Sequence, residues 1–199
     1  LEKLSVDVEV EDKENPLCLR YSALRIENIT KKIASWKMKV RLFYCGMRSI
    51  NLLADMTNYI MLELGQPMHA FDSNKINEIV VKNVSNEKVN FTTLDGIERE
   101  IPENTLMICN KDLPVAIAGI MGGLNSEIEE DTTSLILESA NFDSTSIRKS
   151  AIALGLRTDA SAHYEKSLDP NMTVTAIKRF LYLLKKYDNN ISIDTGITD

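Results

Sequence analysis

The spacing of apolar residues predicts strands through the first two thirds of the chain. Val6, Val8 and Val10 alternate with acidic residues, and this period of two is typical of a half-buried strand. Short β-like runs predict further strands at 18–26, 79–83, 88–93, 98–101, 105–109, 115–120 and 134–139. A hairpin turn is expected at Asp95-Gly96, between two of these runs, because glycine accepts a positive φ.

Helices are predicted where apolar residues recur every three or four positions, at 36–45, 57–64, 144–154 and 171–187. In the first helix Ser35 can cap the N-terminus, and Trp36, Val40 and Phe43 share one face. Gly65 is expected to end the second helix, because glycine adopts the left-handed conformation of a C-cap.

Strands that come first and helices that come last favour an α+β fold over alternating β-α-β units. We therefore predict a β-rich core of two packed layers with helices over one face, a three-layer β/β/α arrangement. No repeat or linker divides the sequence, so residues 1–199 are expected to form a single domain. The first residue is Leu1 and no initiator Met precedes it, so we also expect the chain to be a segment of a longer protein.

The charge distribution argues against a free-standing nucleic-acid binder, because the net charge is −6. Between Asn28 and Ala54, however, there is no Asp or Glu, while six basic residues occur. This stretch is either a solvated face or a surface that faces nucleic acid. The three cysteines lack CxxC spacing, which predicts neither a disulfide framework nor a metal site but reduced thiols facing the core of a cytoplasmic protein. No apolar run is long enough to cross a membrane.

Five stretches carry a family resemblance in the same order and spacing, and they lie at 35–51, 55–72, 118–123, 137–142 and 154–161. The second stretch reads DMTNYIMLELGQPMHAFD and contains one of the two histidines. Together they resemble the editing region, or B3/B4 domain, of bacterial phenylalanyl-tRNA synthetase β subunits. The likeness extends over residues 18–169 and departs from the family at 162–167, where His163 and Ser167 stand.

The resemblance implies a function in proofreading. In that family this region hydrolyses tyrosine wrongly joined to phenylalanine tRNA, within an ATP-dependent phenylalanine–tRNA ligase whose ligase active site lies elsewhere. The implied partners are phenylalanine tRNA and the synthetase α subunit, which would be reached through the full-length β subunit. The parent ligase is expected to use ATP and Mg, and no cofactor is expected in this segment.

Glu138 and Gly122 are the strongest candidates for substrate recognition. Glu138 is a lone carboxylate after the apolar run Leu135-Ile136-Leu137, and from pattern alone it reads more easily as a strand residue turned to solvent. The resemblance reverses this, since it matches the specificity glutamate that would accept the tyrosine hydroxyl. Gly122 allows a close backbone approach to a ligand, or else forms a plain tight turn.

The resemblance also implies a catalytic set of His69, Asn58 and Thr57. His69 would orient the ester or a water molecule, with a hydrogen-bonded structural histidine as the alternative. Asn58 would help to place the ester, and Thr57 is equally explained as a helix cap. The sequence has no arrangement typical of a serine or cysteine nucleophile, which favours hydrolysis by a held water.

Arg48, Thr158 and Ala160 complete the predicted substrate-binding residues. Arg48 matches a position near the terminal adenosine, while Thr158 and Ala160 match an opposite wall whose small side chains leave room for a ring. Two other functions stay open on the sequence. One is a binding module of the same fold without activity, and the other is a hydrolase of small molecules.

Overall fold

In a computed structural model that describes residues 5–8, 16–84, 89–193 and 196–199, the chain folds into two large β-sheets, a two-stranded hairpin and five α-helices. The strands are β1 Ser5–Val8, β2 Cys18–Glu27, β3 His69–Asp72, β4 Glu78–Val84, β5 Val89–Thr92, β6 Glu98–Ile101, β7 Thr105–Asn110, β8 Leu113–Ile117, β9 Met121–Gly122, β10 Leu135–Phe142 and β11 Ser192–Ile193. The helices are α1 Trp36–Tyr44, α2 Leu52–Leu64, α3 Ser144–Ala153, α4 Asp159–Tyr164 and α5 Met172–Tyr187. None of the described helices is long and apolar enough to span a membrane.

The larger sheet has the strand order β1-β4-β7-β8-β9, and the smaller has the order β11-β2-β10-β3. Neighbouring strands are antiparallel except for the parallel pair β1 and β4. Strands β5 and β6 form the predicted hairpin, and Gly96 at its turn has a φ of +77°. The predicted first strand is present as β1, whereas Val10 lies outside the described residues.

The sheets and helices are arranged in layers, with two apolar cores between them. One core lies between the sheets and contains Phe71, Met107 and Ile136. The other lies between the smaller sheet and α1, α2 and α5, and contains Leu42 and Phe180. The predicted α+β, layered fold is confirmed. Helices α3 and α4 do not join the helical layer, because they pack against the core between the sheets.

Strand β10 lies at the centre of both cores. All eight of its residues are buried, because the helices cover one face and the larger sheet covers the other. Leu135 and Leu137 therefore face the helical layer, while Ile136 and Glu138 face the space between the sheets. The apolar-to-polar alternation at Glu138 does not mark a solvent face, since β10 has none.

Trp36, Val40 and Phe43 share one face of α1, as predicted, but this is not the face that packs on the core. Trp36 is 79% exposed and Phe43 is 74% exposed, while Met38 and Leu42 are the buried residues of this helix. Apolar side chains lie on both sides of α1, so periodicity alone does not decide which side packs. The packing of α1 against α2 decides it and leaves Trp36 and Phe43 lining an open groove of about 750 Å³.

Helix α2 begins five residues earlier than predicted. Asn51 caps it, since its side chain accepts a hydrogen bond from the Ala54 N–H at 2.9 Å. Thr57 is thus an interior helical residue and not a cap, and its hydroxyl donates to the Ala54 carbonyl at 2.9 Å. Gly65 ends the helix with a φ of +73°, as predicted.

The two faces of α1 predict different responses to truncation. Leu42→Ala should lower the free energy of unfolding by about 2–5 kcal/mol, because it removes a fully buried side chain. Trp36→Ala on the same helix should change it by less than about 0.5 kcal/mol, because its side chain is exposed. Urea unfolding of both variants measures the difference. Equal losses would contradict the packing described for α1.

Candidate functional site

A cavity of about 60 Å³ lies between the two sheets, where β3, β9, β10 and α4 meet. Four of the residues predicted from the sequence line it, namely His69, Gly122, Glu138 and Ala160. These residues are up to 91 positions apart in the chain, and sheet pairing brings them together. The cavity is therefore the candidate site.

The carboxylate of Glu138 is enclosed in protein. Glu138 is only 4% exposed. The Tyr21 hydroxyl donates a hydrogen bond of 2.6 Å to the Oε2 atom of Glu138. Burial raises the pKa of Glu138 from 4.5 to about 7, although the hydrogen bond from Tyr21 acts in the lowering direction. Near neutral pH the carboxyl group is therefore present in both its charged and neutral forms.

His69 is the direct cross-strand neighbour of Glu138 in the pairing of β3 with β10. Its Nε2 atom is buried and has no hydrogen-bond partner among the described residues. Burial lowers the pKa of His69 to about 4, so the imidazole is neutral at pH 7. The ring packs edge-on against Phe71 at a centroid distance of 4.5 Å. The imidazole is therefore neutral, and its buried Nε2 is unpaired among the described residues.

Gly122 makes room for the histidine ring. A Cβ atom at this position would lie 2.5 Å from Cε1 and 2.7 Å from Nε2 of His69, closer than real contacts allow. Its carbonyl accepts a hydrogen bond of 3.0 Å from the Leu94 N–H. The neighbouring Gly123 N–H donates to the Val115 carbonyl at 2.8 Å and is thus used by the fold. The close approach expected at Gly122 is an approach of His69.

Thr158 and Ala160 lie on the segment that closes the cavity. The Thr158 hydroxyl donates to the Ile120 carbonyl at 2.8 Å and accepts from the Ser161 N–H at 3.2 Å, so it caps α4. This bond attaches the start of α4 to the turn between β8 and β9. Ala160, on the first turn of α4, is thereby held in the cavity wall.

Thr57, Asn58 and Arg48 do not line the cavity. Thr57 and Asn58 lie on α2, where Thr57 is buried and Asn58 is half-buried. Arg48 is exposed and borders the groove over α1. The roles assigned to these three residues stay predictions, and the cavity chemistry rests on His69 and Glu138.

Sequence reasoning missed three residues that organise the site, Tyr21, Gln66 and Tyr164. The Gln66 side-chain amide donates to the Pro67 carbonyl at 3.0 Å and to the Ala140 carbonyl at 2.9 Å, which anchors the segment leading into His69. Tyr164 donates to the same Ala140 carbonyl at 3.1 Å. For Tyr21, the available signal was a tyrosine inside the predicted strand at 18–26, because a phenol that becomes buried requires a hydrogen-bond partner.

The two buried thiols are unsuited to nucleophilic chemistry. Burial and the nearby charge of Glu138 raise the pKa of Cys18 to about 12, and burial raises the pKa of Cys109. Both are core-facing, as predicted. The same prediction is wrong for Cys45, which is exposed on the loop after α1. Within the described ranges, no group of three or more His, Cys, Asp and Glu side chains is placed to hold a metal ion.

Burial of Glu138 should make the fold less stable as the pH rises. Between pH 4.5 and about 7 the folded chain binds more protons at this carboxyl than the unfolded chain does. The loss of unfolding free energy is therefore absent below this pH range and complete above it. Its size is about 3 kcal/mol. Glu138→Gln still accepts from Tyr21 and does not titrate, so its advantage in unfolding free energy over the unsubstituted chain should grow between about pH 5 and about pH 8.

The comparison of the two proteins at each pH removes the opposite contribution of His69. Through His69 the folded chain loses stability as the pH falls from 6.5 to about 4, because the pKa of this side chain is lower in the folded than in the unfolded chain. It is present in both proteins and therefore cancels. A difference in unfolding free energy that does not change with pH would contradict a raised pKa at Glu138.

The contact between Gly122 and His69 predicts a response to one added methyl group. Gly122→Ala should displace the imidazole and lower the free energy of unfolding by about 1–3 kcal/mol. Gly196→Ala is the matched control, since its Cβ would meet no described atom within 4 Å. The histidine ring signals in NMR spectra and urea unfolding measure the two effects. Unchanged His69 signals in Gly122→Ala would contradict the contact.

Comparison with known proteins identifies a family for this chain. A family model described as B3/4 domain matches residues 17–189. The chain is 49% identical over 189 residues to the phenylalanine–tRNA ligase beta subunit of Clostridium tetani. The matched region covers 94% of this chain and 23% of that subunit. The chain is 47% identical to the corresponding subunit of Clostridium acetobutylicum, which covers 99% of the chain and 24% of that subunit.

A solved structure with a similar fold is an N-terminal fragment of the phenylalanyl-tRNA synthetase beta subunit from Pyrococcus horikoshii. The TM-score is 0.50 at 12% identity, over 78% of this chain and 50% of that chain, so this likeness concerns the fold alone. The chain spans about a quarter of the length of the curated relatives it matches. Because the family model covers most of its residues, the chain belongs to the B3/4 domain family.

Proposed function

We propose that this chain hydrolyses tyrosine mischarged onto phenylalanine tRNA, as the editing part of a phenylalanyl-tRNA synthetase β subunit. The observation that carries the proposal is the buried carboxylate of Glu138 in the wall of the cavity between the sheets. Ligation itself is assigned to other parts of the parent enzyme. ATP and Mg are proposed for that reaction, and no cofactor is proposed for this segment.

The discrimination required is between two substrates that differ by one hydroxyl group. A synthetic pocket shaped for phenylalanine rejects tyrosine only imperfectly, so a second site that selects the hydroxyl is useful. Glu138 can accept a hydrogen bond from a phenol, and phenylalanine would leave the buried carboxylate without that bond. Such an unmade bond to a buried group costs about 1–3 kcal/mol, and more for a charged group.

Hydrolysis of the ester needs positioning and a held water rather than a protein nucleophile. His69 is suited to hold that water or the ester, because its imidazole is neutral at pH 7 and its buried Nε2 is unpaired among the described residues. A free hydroxyl on the terminal ribose can help to activate the water. The raised pKa values of Cys18 and Cys109 favour this mechanism over a thiol one.

The substrate side chain must enlarge the cavity when it binds. A cavity of ~150 Å³ is the size that accepts benzene, and the present volume is about 60 Å³. Two half-buried methionines, Met68 and Met121, line the cavity. Methionine is unbranched and adaptable, so these side chains are the ones proposed to move for a tyrosine ring.

The proposed partners are phenylalanine tRNA and the synthetase α subunit, in the cytoplasm. A net charge of −6 is unfavourable for binding a polyanion, so other parts of the parent enzyme are proposed to supply most phosphate contacts. Within this chain the stretch from Asn28 to Ala54, which has no acidic residue, is the proposed contribution. Arg48 belongs to it and is exposed.

A non-catalytic module that binds tRNA or a partner subunit is the alternative. The small cavity and the placement of Thr57 and Asn58 outside it favour this alternative, since they leave His69 as the single member of the predicted catalytic set in the cavity wall. A deacylation assay on tRNA charged with tyrosine or phenylalanine separates the two functions. A module without activity would bind the tRNA and leave both esters intact.

Substitution of Glu138 should change specificity, whereas substitution of His69 should change rate. Glu138→Ala should lower the ratio of Tyr-tRNA to Phe-tRNA hydrolysis about tenfold to a hundredfold, since it removes a hydrogen bond to a charged acceptor. His69→Ala should slow hydrolysis of both esters and leave their ratio nearly unchanged, because this side chain is proposed to hold the water or the ester and not the tyrosine hydroxyl. Deacylation rates for both charged tRNAs, with the synthetase that contains each variant, measure the two effects.

Glu127→Ala is the matched control, because Glu127 is an exposed glutamate away from the cavity. It should leave both rates unchanged. Circular dichroism and urea unfolding verify that each variant is folded. A folded Glu138→Ala protein with an unchanged ratio would remove Glu138 from substrate recognition and refute the specificity argument.

A further inference from the structure

The carboxylate of Glu138 already holds a phenol that belongs to the protein. Tyr21 on β2 is 5% exposed, and its hydroxyl lies 2.6 Å from Oε2 of Glu138. The contact follows from the strand register, because Tyr21 pairs with Ala140, two residues beyond Glu138 on β10. Residues two apart on a strand share a face, so both side chains point between the sheets.

The second oxygen of the carboxylate, Oε1, differs from Oε2 in its surroundings. Among the described residues, none donates a hydrogen bond to Oε1 of Glu138, while Oε2 accepts from Tyr21. An ionised carboxylate accepts several hydrogen bonds, so one oxygen is occupied and the other is available in the wall of the cavity. The chemistry available at Oε1 is that of an acceptor for one more hydroxyl donor.

We propose that Tyr21 is a positioning residue for Glu138, in that its phenol fixes Oε2 and leaves Oε1 as the acceptor for the phenol of the substrate. This inference rests on the proposed editing function. Recognition of tyrosine then consists of adding a second phenol to a carboxylate that an internal phenol has already oriented. A phenylalanine ester in the same place would leave Oε1 unpaired.

The hydroxyl of Tyr21 is also the group that favours the charged form of Glu138. The titratable groups that face this carboxyl are Tyr21 and Cys18 on β2, His69 on β3 and Tyr164 on α4. None of them supplies a positive charge at neutral pH. The thiol and the phenols are never cationic, and burial lowers the pKa of His69 to about 4.

The larger sheet supplies no charge to the carboxyl either. Its residues in the cavity wall are Ile108, Ala116, Ile117, Met121 and Gly122, and none of them titrates. The hydrogen bond from Tyr21 is therefore the described interaction that lowers the pKa of Glu138 against the effect of burial. Without it, more of the carboxyl would be protonated at neutral pH, and a protonated carboxyl accepts a hydrogen bond more weakly.

Tyr21→Phe is the direct test, because it removes one oxygen atom and keeps the ring. In carbon-13 NMR of the labelled chain, the titration of the Glu138 carboxyl should move to higher pH by about one unit or more. In deacylation assays the ratio of Tyr-tRNA to Phe-tRNA hydrolysis should fall about tenfold near neutral pH and recover as the pH rises. Recovery with pH is not expected of a merely structural defect.

Tyr187→Phe is the matched control, since it removes a phenol oxygen that is bonded to Ser35 in the helical layer. It should leave both the titration and the ratio unchanged. Tyr21→Phe in a Glu138→Gln background supplies the second measurement, because the amide does not titrate. There the substitution should no longer make the ratio depend on pH.

The outcomes separate the two levels of inference. An unchanged Glu138 titration in folded Tyr21→Phe would overturn the positioning role, even where Glu138→Ala still abolishes discrimination. A shifted titration with an unchanged hydrolysis ratio would overturn it as well, since the phenol would then tune the carboxyl without affecting recognition. Failure of the proposed function itself would appear as intact Tyr-tRNA in the presence of the unsubstituted synthetase, and it would remove the recognition role whatever the titration shows.

Discussion

The enclosure of one carboxylate between two sheets is the constraint on which this site depends. Strand β10 is covered on both faces, so a glutamate in it cannot reach solvent by turning over. An unpaired charge in such a place is costly, and the fold answers with the phenol of Tyr21 at 2.6 Å. The strand register that supplies this partner also brings His69 opposite Glu138. The strand register thus determines both the packing around Glu138 and the polar groups beside it.

Burial shifts the pKa values of Glu138 and His69 in opposite directions, and in both cases it favours the uncharged form. It raises the pKa of Glu138 to about 7 and lowers that of His69 to about 4, because a low dielectric disfavours whichever form is charged. At neutral pH the imidazole is uncharged and the carboxyl is poised between its two forms. A neutral nitrogen and a titrating carboxyl suit recognition and water positioning, and Gly122 supplies the space that the imidazole needs.

Secondary structure was largely predictable where a local signal decides it. The caps at Ser35 and Gly65 lie where the sequence placed them, because each depends on its own backbone and nearest neighbours. The start of α2 was predicted wrongly, because the local cap at Asn51 was missed. The buried side of α1 was not predicted. It depends on partners in other elements, which cover Met38 and Leu42 and leave Trp36 and Phe43 exposed.

The order of the motifs indicated the family and selected eight candidate residues. Four of them line one cavity, namely Glu138, His69, Gly122 and Ala160, while Thr57, Asn58, Arg48 and Thr158 do not. The meeting of the first four in one cavity was decided by the tertiary structure, since pairing of β3 and β10 and capping of α4 are contacts between distant segments. The same contacts placed Tyr21 on Glu138 and kept Thr57, Asn58 and Arg48 out of the cavity wall. A sequence determines which side chains are present and their local conformational preferences. Which of them share a cavity depends on strand register and layer packing, because burial is a property of the assembled sheets and not of any one segment.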